Sequence, residues 1–194
     1  DFSAFSINQS NGNLSFINQP DYEAKSSYKV TILSKDDGGK IFSKTFSLSV
    51  TNVAEAPNIT STAITKATED TVYSYTLKAN DQDTGDTLTL VAVTKPSWLS
   101  FDANTGILSG TPSNANVGSH SIVLKATDSS GLTTTQSFTL VVSNVNDAPT
   151  ISAPDPLLAV QDSAFSYAFS GSDVDVGDAV TLSAPTKPSW LSIN

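Results

Sequence analysis

The chain has no cysteine, which rules out disulfides, thiolate metal sites and cysteine nucleophiles and leaves packing, or metal bound through oxygen, to hold it together. Arginine is absent too: all ten basic residues are lysine, against nineteen acidic ones, for a net charge of −9. Bidentate phosphate recognition therefore has no agent, and an acidic surface repels a polyanion, so nucleic acid is not an expected partner. Charged residues make up 15% of the chain, well below the roughly 25% of an average soluble domain. Ser, Thr, Asn and Gly fill the deficit, a balance that suits turn-rich β-structure. No apolar run approaches the ~20 residues that span a bilayer, and no charged-then-apolar leader opens the chain. Membrane insertion of this segment is not expected. One histidine, no Gly-x-Ser-x-Gly, no metal-binding His pair and no phosphate-cradling glycine loop argue against an enzyme.

What the chain does have is repetition. Thr94-Lys95-Pro96-Ser97-Trp98-Leu99-Ser100 returns 92 positions later as Thr186-Lys187-Pro188-Ser189-Trp190-Leu191-Ser192. The same offset relates Ala56-Pro57 to Ala148-Pro149 and Asp81-Gln82-Asp83 to Asp173-Val174-Asp175. A fixed period of this length marks a tandem array. With 194 residues and 38% hydrophobic content, the chain can bury about two cores of roughly 100 residues each.

Apolar residues alternate along Tyr28, Val30, Ile32 and along Phe46, Leu48, Val50. The next repeat copies the pattern at His120, Ile122, Leu124, Ala126 and at Phe138, Leu140, Val142, with a turn at 128–131. Period-two runs are half-buried strands. Further strands are predicted at about 71–78, 87–93, 106–109, 164–171 and 179–184. Short strands between Gly, Asp, Asn and Pro turns predict antiparallel β-sandwiches of about seven strands each. The Ala-Pro dipeptides set the boundaries. Residues 1–55 read as the C-terminal half of a repeat, 56–147 as a complete repeat and 148–194 as the N-terminal half of another, so the chain reads as an excerpt from a longer array.

Aspartate supplies 16 of the 19 acidic residues, many of them in loops at repeat ends. Gathered carboxylates repel one another, and the usual reason to gather them is a hard cation such as Ca²⁺, which takes six to eight oxygens at ~2.3–2.6 Å. Asp102, Asp155 and Asp162 read instead as turn residues; Asp86 and Asp178 fit either role. Trp98 and Trp190, each flanked by Pro and Leu, read as core-closing residues. The alternative is a sugar-stacking platform using Trp98 or a tyrosine such as Tyr73. His120, aligned with Tyr28, reads as a half-buried structural residue.

Pro20-Asp21-Tyr22-Glu23 resembles the Asp-x-Glu signature of cadherin repeats, Asp81-Gln82-Asp83 their Asp-x-Asp loop, and Asn144-Val145-Asn146-Asp147-Ala148-Pro149 their interdomain linker. Residues 96–102, 105–112 and 126–131 are similar to the dystroglycan-type cadherin-like and putative-Ig modules of bacterial surface adhesins. The resemblance implies tandem cadherin-like or Ig-like sandwiches, Ca²⁺ at their joints, neighbouring repeats as partners, surface glycans as a further candidate partner, and an extracellular, cell-surface location. At the first joint it implies Asp21, Glu23, Asn52, Glu55, Asp81, Asp83 and Asp128 as ligands; at the second, Glu69, Asn144, Asn146, Asp147, Asp173 and Asp175. The linkers are one residue shorter than the common cadherin form. Ala54 stands where a linker Asn is expected, and Pro112-Ser113-Asn114 where the Asp-x-Glu signature is expected, so the second joint is expected to be poorer in ligands. The expected function is a stalk segment of a calcium-stiffened adhesin. The alternatives are a carbohydrate-binding module and a head-to-tail filament completed by exchange of half-repeats.

Overall fold

A computed structural model describes residues 1–153 and 157–192. Asp155, read above as a turn residue, and the last two residues of the 148–194 half-repeat lie outside them. The strands run β1 (Phe5–Ile7), β2 (Leu14–Phe16), β3 (Ser27–Lys35) and β4 (Ile41–Ser49) in the first segment. In the central repeat they are β5 (Asn58–Ile59), β6 (Lys66–Thr68), β7 (Tyr73–Thr76), β8 (Ala79–Asn80), β9 (Thr89–Thr94), β10 (Ser100–Asp102), β11 (Ile107–Gly110), β12 (Gly118–Thr127) and β13 (Thr133–Ser143). Beyond it come β14 (Thr150–Ser152) and β15 (Ser170–Ser172). Only two short 3₁₀ turns, Phe2–Ala4 and Asn114–Asn116, interrupt the β-structure among the described residues. No helix among them is long and apolar enough to cross a membrane.

The chain divides into two compact units: Asp1–Thr60 with Lys78–Leu90 and Lys125–Thr135, and Ser61–Leu77 with Val91–Leu124 and Gln136–Asn194. In the first unit β3 and β4 pair antiparallel from Ser27 opposite Ser49 to Lys35 opposite Ile41. Their connection is tied at Asp36, whose Oδ1 accepts the Lys40 N–H at 2.7 Å, and Gly39 supplies the positive φ of +83° that this turn needs. The rings of Phe5, Phe16 and Tyr28 meet with centroids 4.5 to 5.5 Å apart, beside buried Val30. The predicted face along β4 is only partly covered: Phe46 is 45% exposed.

The second unit holds the larger core. Leu77, Leu99, Leu108, Ile122, Leu124, Leu140 and Val142 are almost fully buried, as the alternation in the sequence requires. One sheet has the order β10-β11-β7 and another β6-β13-β12-β9, with β6 parallel to β13. The Tyr75 and Phe138 rings, 5.9 Å apart, pack β7 against β13. Their shared edge is closed by a polar network in which the Tyr75 hydroxyl donates to Gln136 Oε1 at 2.6 Å and the Gln136 amide donates to the Ser61 carbonyl at 2.7 Å. Of the predicted strand 71–78 only β7 forms, paired with β11; β8, just beyond it, pairs with β5.

Several expectations need correction in the third segment. Of the predicted 164–171 strand only residues 170 and 171 form, as part of β15, and 179–184 forms none. In the central repeat the corresponding segments, β7 and β9, are paired with β11 and β12. Trp190 is 73% exposed, not in a core. Trp98, read as core-closing, is half-buried, edge-on to Tyr73 and to His120; His120 is half-buried as predicted, and its ring nitrogen Nε2 meets the Asn116 carbonyl at 2.6 Å. Tyr73 is 4% exposed and donates its hydroxyl to the Ile64 carbonyl; burial, with Tyr75 beside it, pushes its phenol up to about 12. A ring so enclosed offers no face for stacking on a sugar.

Gly110 sits where a Cβ would lie 2.3 Å from the Trp98 carbonyl oxygen. Gly110→Ala is expected to destabilise the fold by about 1–3 kcal/mol through overpacking, read as a lower midpoint in chemical denaturation; an unchanged midpoint would contradict this close approach.

Candidate metal centres

Two carboxylate-rich sites stand 92 residues apart, and the same backbone logic builds both. At the first, the linker after β4 meets the loop after β8. Asp83, 8% exposed, accepts the Asn52 side-chain amide on Oδ1 at 2.7 Å and the Glu55 backbone N–H on Oδ2 at 3.0 Å. Asp81 Oδ1 accepts the Asp83 N–H at 3.0 Å, which folds the Asp-x-Asp loop on itself. At the second site every bond recurs 92 residues on. Asp175 accepts the Asn144 amide at 2.9 Å and the Asp147 N–H at 2.6 Å, and Asp173 accepts the Asp175 N–H at 2.9 Å.

Within this frame, carboxylates converge. Glu23, Glu55 and Asp83 each offer one oxygen within 4.8 Å of the others, and so do Asp81, Asp86 and Asp128. At the second site the groups are Glu69, Asp147 and Asp175, and Asp173, Asp175 and Asp178. Asp81 and Asp128 fix their own loops with one oxygen and leave the other bare. Asp128 accepts the Ser130 hydroxyl and the Leu132 N–H on Oδ1, while Asp86 accepts the Ser129 hydroxyl at 2.7 Å. Asp128 Oδ2, Asp81 Oδ2, Glu55 Oε2 and Glu69 Oε2 are buried with no hydrogen-bond partner. Glu69 is only 1% exposed, its other oxygen accepting the Val145 N–H. A buried, unpaired carboxylate oxygen is costly unless something positive meets it. With oxygen as the only donor type, the fitting ion is a hard cation.

The electrostatics of the two sites differ. Burial, and then the charges of Glu23, Asp83, Asp21 and Asp81, push the Glu55 carboxyl above its usual range. The Asp147 N–H and the Asn144 amide hold Asp175 below its usual range against burial, with Asn114 adding to them. For Asp128 burial pushes upward, but the Ser130 hydroxyl and the N–H groups of Leu132, Gly131 and Ser130 together bring it below.

The structure brings together all the residues read from the sequence except Asp21 and Asn146. Asp21 is exposed and caps its own turn by accepting the Ala24 N–H, acting on the site only through its charge. Asn146 is exposed and donates to the Asp147 carbonyl. Asp86 and Asp178, open between two roles in the sequence, stand in the carboxylate groups; they too are related by the 92-residue offset. Asn114 is the residue that sequence reasoning missed: its amide donates to Asp147 Oδ2 at 2.7 Å and Asp175 Oδ1 at 3.4 Å.

These sandwiches are Ig-like and cadherin-like. Residues 56–143 match the family described as "Putative Ig domain". Over 109 residues the chain is 30% identical to the "Serine-rich adhesin for platelets" of Staphylococcus aureus strain MRSA252, an overlap of 56% of this chain and 8% of that protein. The adhesin of strain MSSA476 matches at the same identity over 56% of this chain and 5% of its own length. The chain thus spans a small fraction of the curated relatives it matches. Among solved structures, the extracellular domain of protocadherin GammaB4 superposes with a TM-score of 0.54 at 24% identity, covering 90% of this chain and 33% of that one. Protocadherin gammaB7 EC3-6 gives 0.54 at 23%, covering 90% and 49%. At that identity the likeness concerns the fold alone.

The pH response follows from these shifts. Glu55, raised above 4.5, contributes stability below that value and loses it as pH rises through its folded pKa; Asp175, lowered below 3.8, contributes above that value and loses it as pH falls through its folded pKa. In chelator at pH 7, Glu55→Gln is therefore expected to raise the thermal midpoint and Asp175→Asn to lower it, the Asp175→Asn deficit narrowing below pH 3.8. Thermal melts across pH check both signs, and a lower midpoint for Glu55→Gln would contradict the crowding at this site.

Proposed function

We propose that this chain is a non-enzymatic stalk segment of a large extracellular adhesin, in which Ca²⁺ held at the joints between β-sandwich repeats stiffens the array that carries cell-surface adhesion. The repeats are residues 56–147, flanked by half-repeats 1–55 and 148–194. One observation carries the reading: the same carboxylate and amide constellation recurs at the repeat period, with buried carboxylate oxygens left bare inside it. A catalytic site has no reason to recur every repeat, whereas a joint must. The similarity to a staphylococcal surface adhesin supports the cellular setting.

Glu23, Glu55 and Asp83 form one ligand group at the first joint, and Asp81, Asp86 and Asp128 the other. Each combines side chains from different loops, so a shared ion fixes their separation, and its removal leaves like charges that push apart. Calcium suits such sites because it tolerates irregular oxygen shells, and its affinity is expected at about 10⁻⁴–10⁻³ M, the range of extracellular modules. Small-angle scattering tests the mechanism: calcium should change the maximum dimension and narrow the distribution of shapes relative to chelator. An unchanged profile would count against it.

A second reading has its own support. Tyr167, Phe169 and Trp190 are 38%, 47% and 73% exposed, while their counterparts Tyr75 and Leu77 are 3% and 2% exposed and Trp98 is half-buried. Exposed faces of this kind seek cover; complementary strands from another copy, such as its residues 1–55, would give a head-to-tail filament. Light scattering separates the readings: growth with concentration supports exchange, and a monodisperse monomer rules it out.

A further inference from the structure

We infer that Asn114 does with its amide at the second joint what a cation does at the first, clamping Asp147 and Asp175 so that this joint stays closed when calcium is withdrawn. The comparison with the first joint rests on the calcium reading above; the clamp itself does not.

The two joints share their linker bonds and differ in what approaches those bonds from the preceding repeat. At the first joint that position belongs to Pro20-Asp21-Tyr22-Glu23, which brings the Glu23 carboxylate beside Glu55 and Asp83, with the charge of Asp21 further out. At the second it belongs to Pro112-Ser113-Asn114, which brings an amide. Nδ2 carries two N–H groups, and the two acceptors are Asp147 Oδ2 at 2.7 Å and Asp175 Oδ1 at 3.4 Å. Donation to an ionised carboxylate is roughly twice as strong as a neutral hydrogen bond. Asp175 thereby gathers the Asn114 amide, the Asn144 amide and the Asp147 N–H on one side chain that is 7% exposed.

Asn114 is presented by a fixed turn. Asn116 Oδ1 accepts both the Ser113 N–H at 2.9 Å and the Ser113 hydroxyl at 3.1 Å, the Ser113 carbonyl accepts the Asn116 N–H at 2.7 Å, and the Asn114 carbonyl accepts the Val117 N–H. The bare Glu69 oxygen remains beside the pair, so an ion can still enter, but it meets carboxylates already bridged by a donor. The second joint therefore holds its linker without calcium, and the array has one ion-dependent joint and one that is not.

Amide hydrogen exchange on the full chain reads both joints at equivalent atoms, the Glu55 and Asp147 N–H groups. On moving from calcium to chelator, the Glu55 amide is expected to exchange about tenfold faster and the Asp147 amide to change by less than about threefold. Asn114→Ala is expected to speed the Asp147 amide about tenfold in chelator with Glu55 unaffected, and Asn114→Asp to make the Asp147 amide calcium-dependent. Equal acceleration of both amides in the unmodified chain overturns the clamp. So does an Asp147 amide indifferent to Asn114→Ala in chelator, the result if Asn114 acts only as an ion ligand through its oxygen. A Glu55 amide indifferent to calcium overturns the calcium reading instead, and the Asn114→Ala arm still decides the clamp.

Discussion

Each joint turns on one buried aspartate that accepts both a side-chain amide and a backbone N–H from the linker. Asp83 and Asp175 are 8% and 7% exposed, and burial of a carboxylate is tolerated only when its oxygens are met by donors or cations. The linker's own Asn and the N–H at position 55 or 147 supply the donors. Once the aspartate is fixed, its neighbours are fixed with it. The Asp-x-Asp loop closes on the aspartate's N–H, and the acids gather in groups of three, each offering one oxygen within 4.8 Å of the others in its group. Crowding is thus a consequence of how the linker is anchored.

The sandwich serves this arrangement by supplying stiff ends. Alternating residues along β12 and β13 bury Ile122, Leu124, Leu140 and Val142, and the strands deliver loops whose carboxylates are already oriented by hydrogen bonds to their own backbone. Because Asp81 and Asp128 each use one oxygen locally, the other has a fixed direction, and little conformational entropy is lost when an ion binds. The same economy of parts lets the two joints diverge. Where the Glu23 carboxylate approaches the first linker, the Asn114 amide donates to Asp147 and Asp175 at the second, and the linker bonds are the same in both.

Much of this was legible before any coordinates. The 92-residue offset, the alternation at 120–126 and 138–142, and the acids at Asp81, Asp83, Asp173 and Asp175 all follow from spacing, and spacing survives into structure when an element has its partner. Spacing and flanking residues alone did not decide the third segment: among the described residues 179–184 has a strand's sequence but forms no ladder, and Trp190 has a core residue's neighbours but is exposed. Asn114 was visible only as a departure from the acidic signature. A missing carboxylate is evident from the sequence, whereas the direction of the amide that replaces it depends on how the turn Asn114–Asn116 presents it. Asp86 and Asp178 shared the repeat offset, and turn preference explained them equally well until the loops were folded.

The central claim is that the first joint holds calcium in the space its carboxylates enclose. Anomalous diffraction from crystals grown with calcium tests this most directly. The account predicts ion peaks beside Glu55 Oε2 and between Asp81 and Asp128, the places where buried oxygens lack partners. Full-occupancy water or lysine nitrogen at those positions, with no anomalous signal, would contradict it.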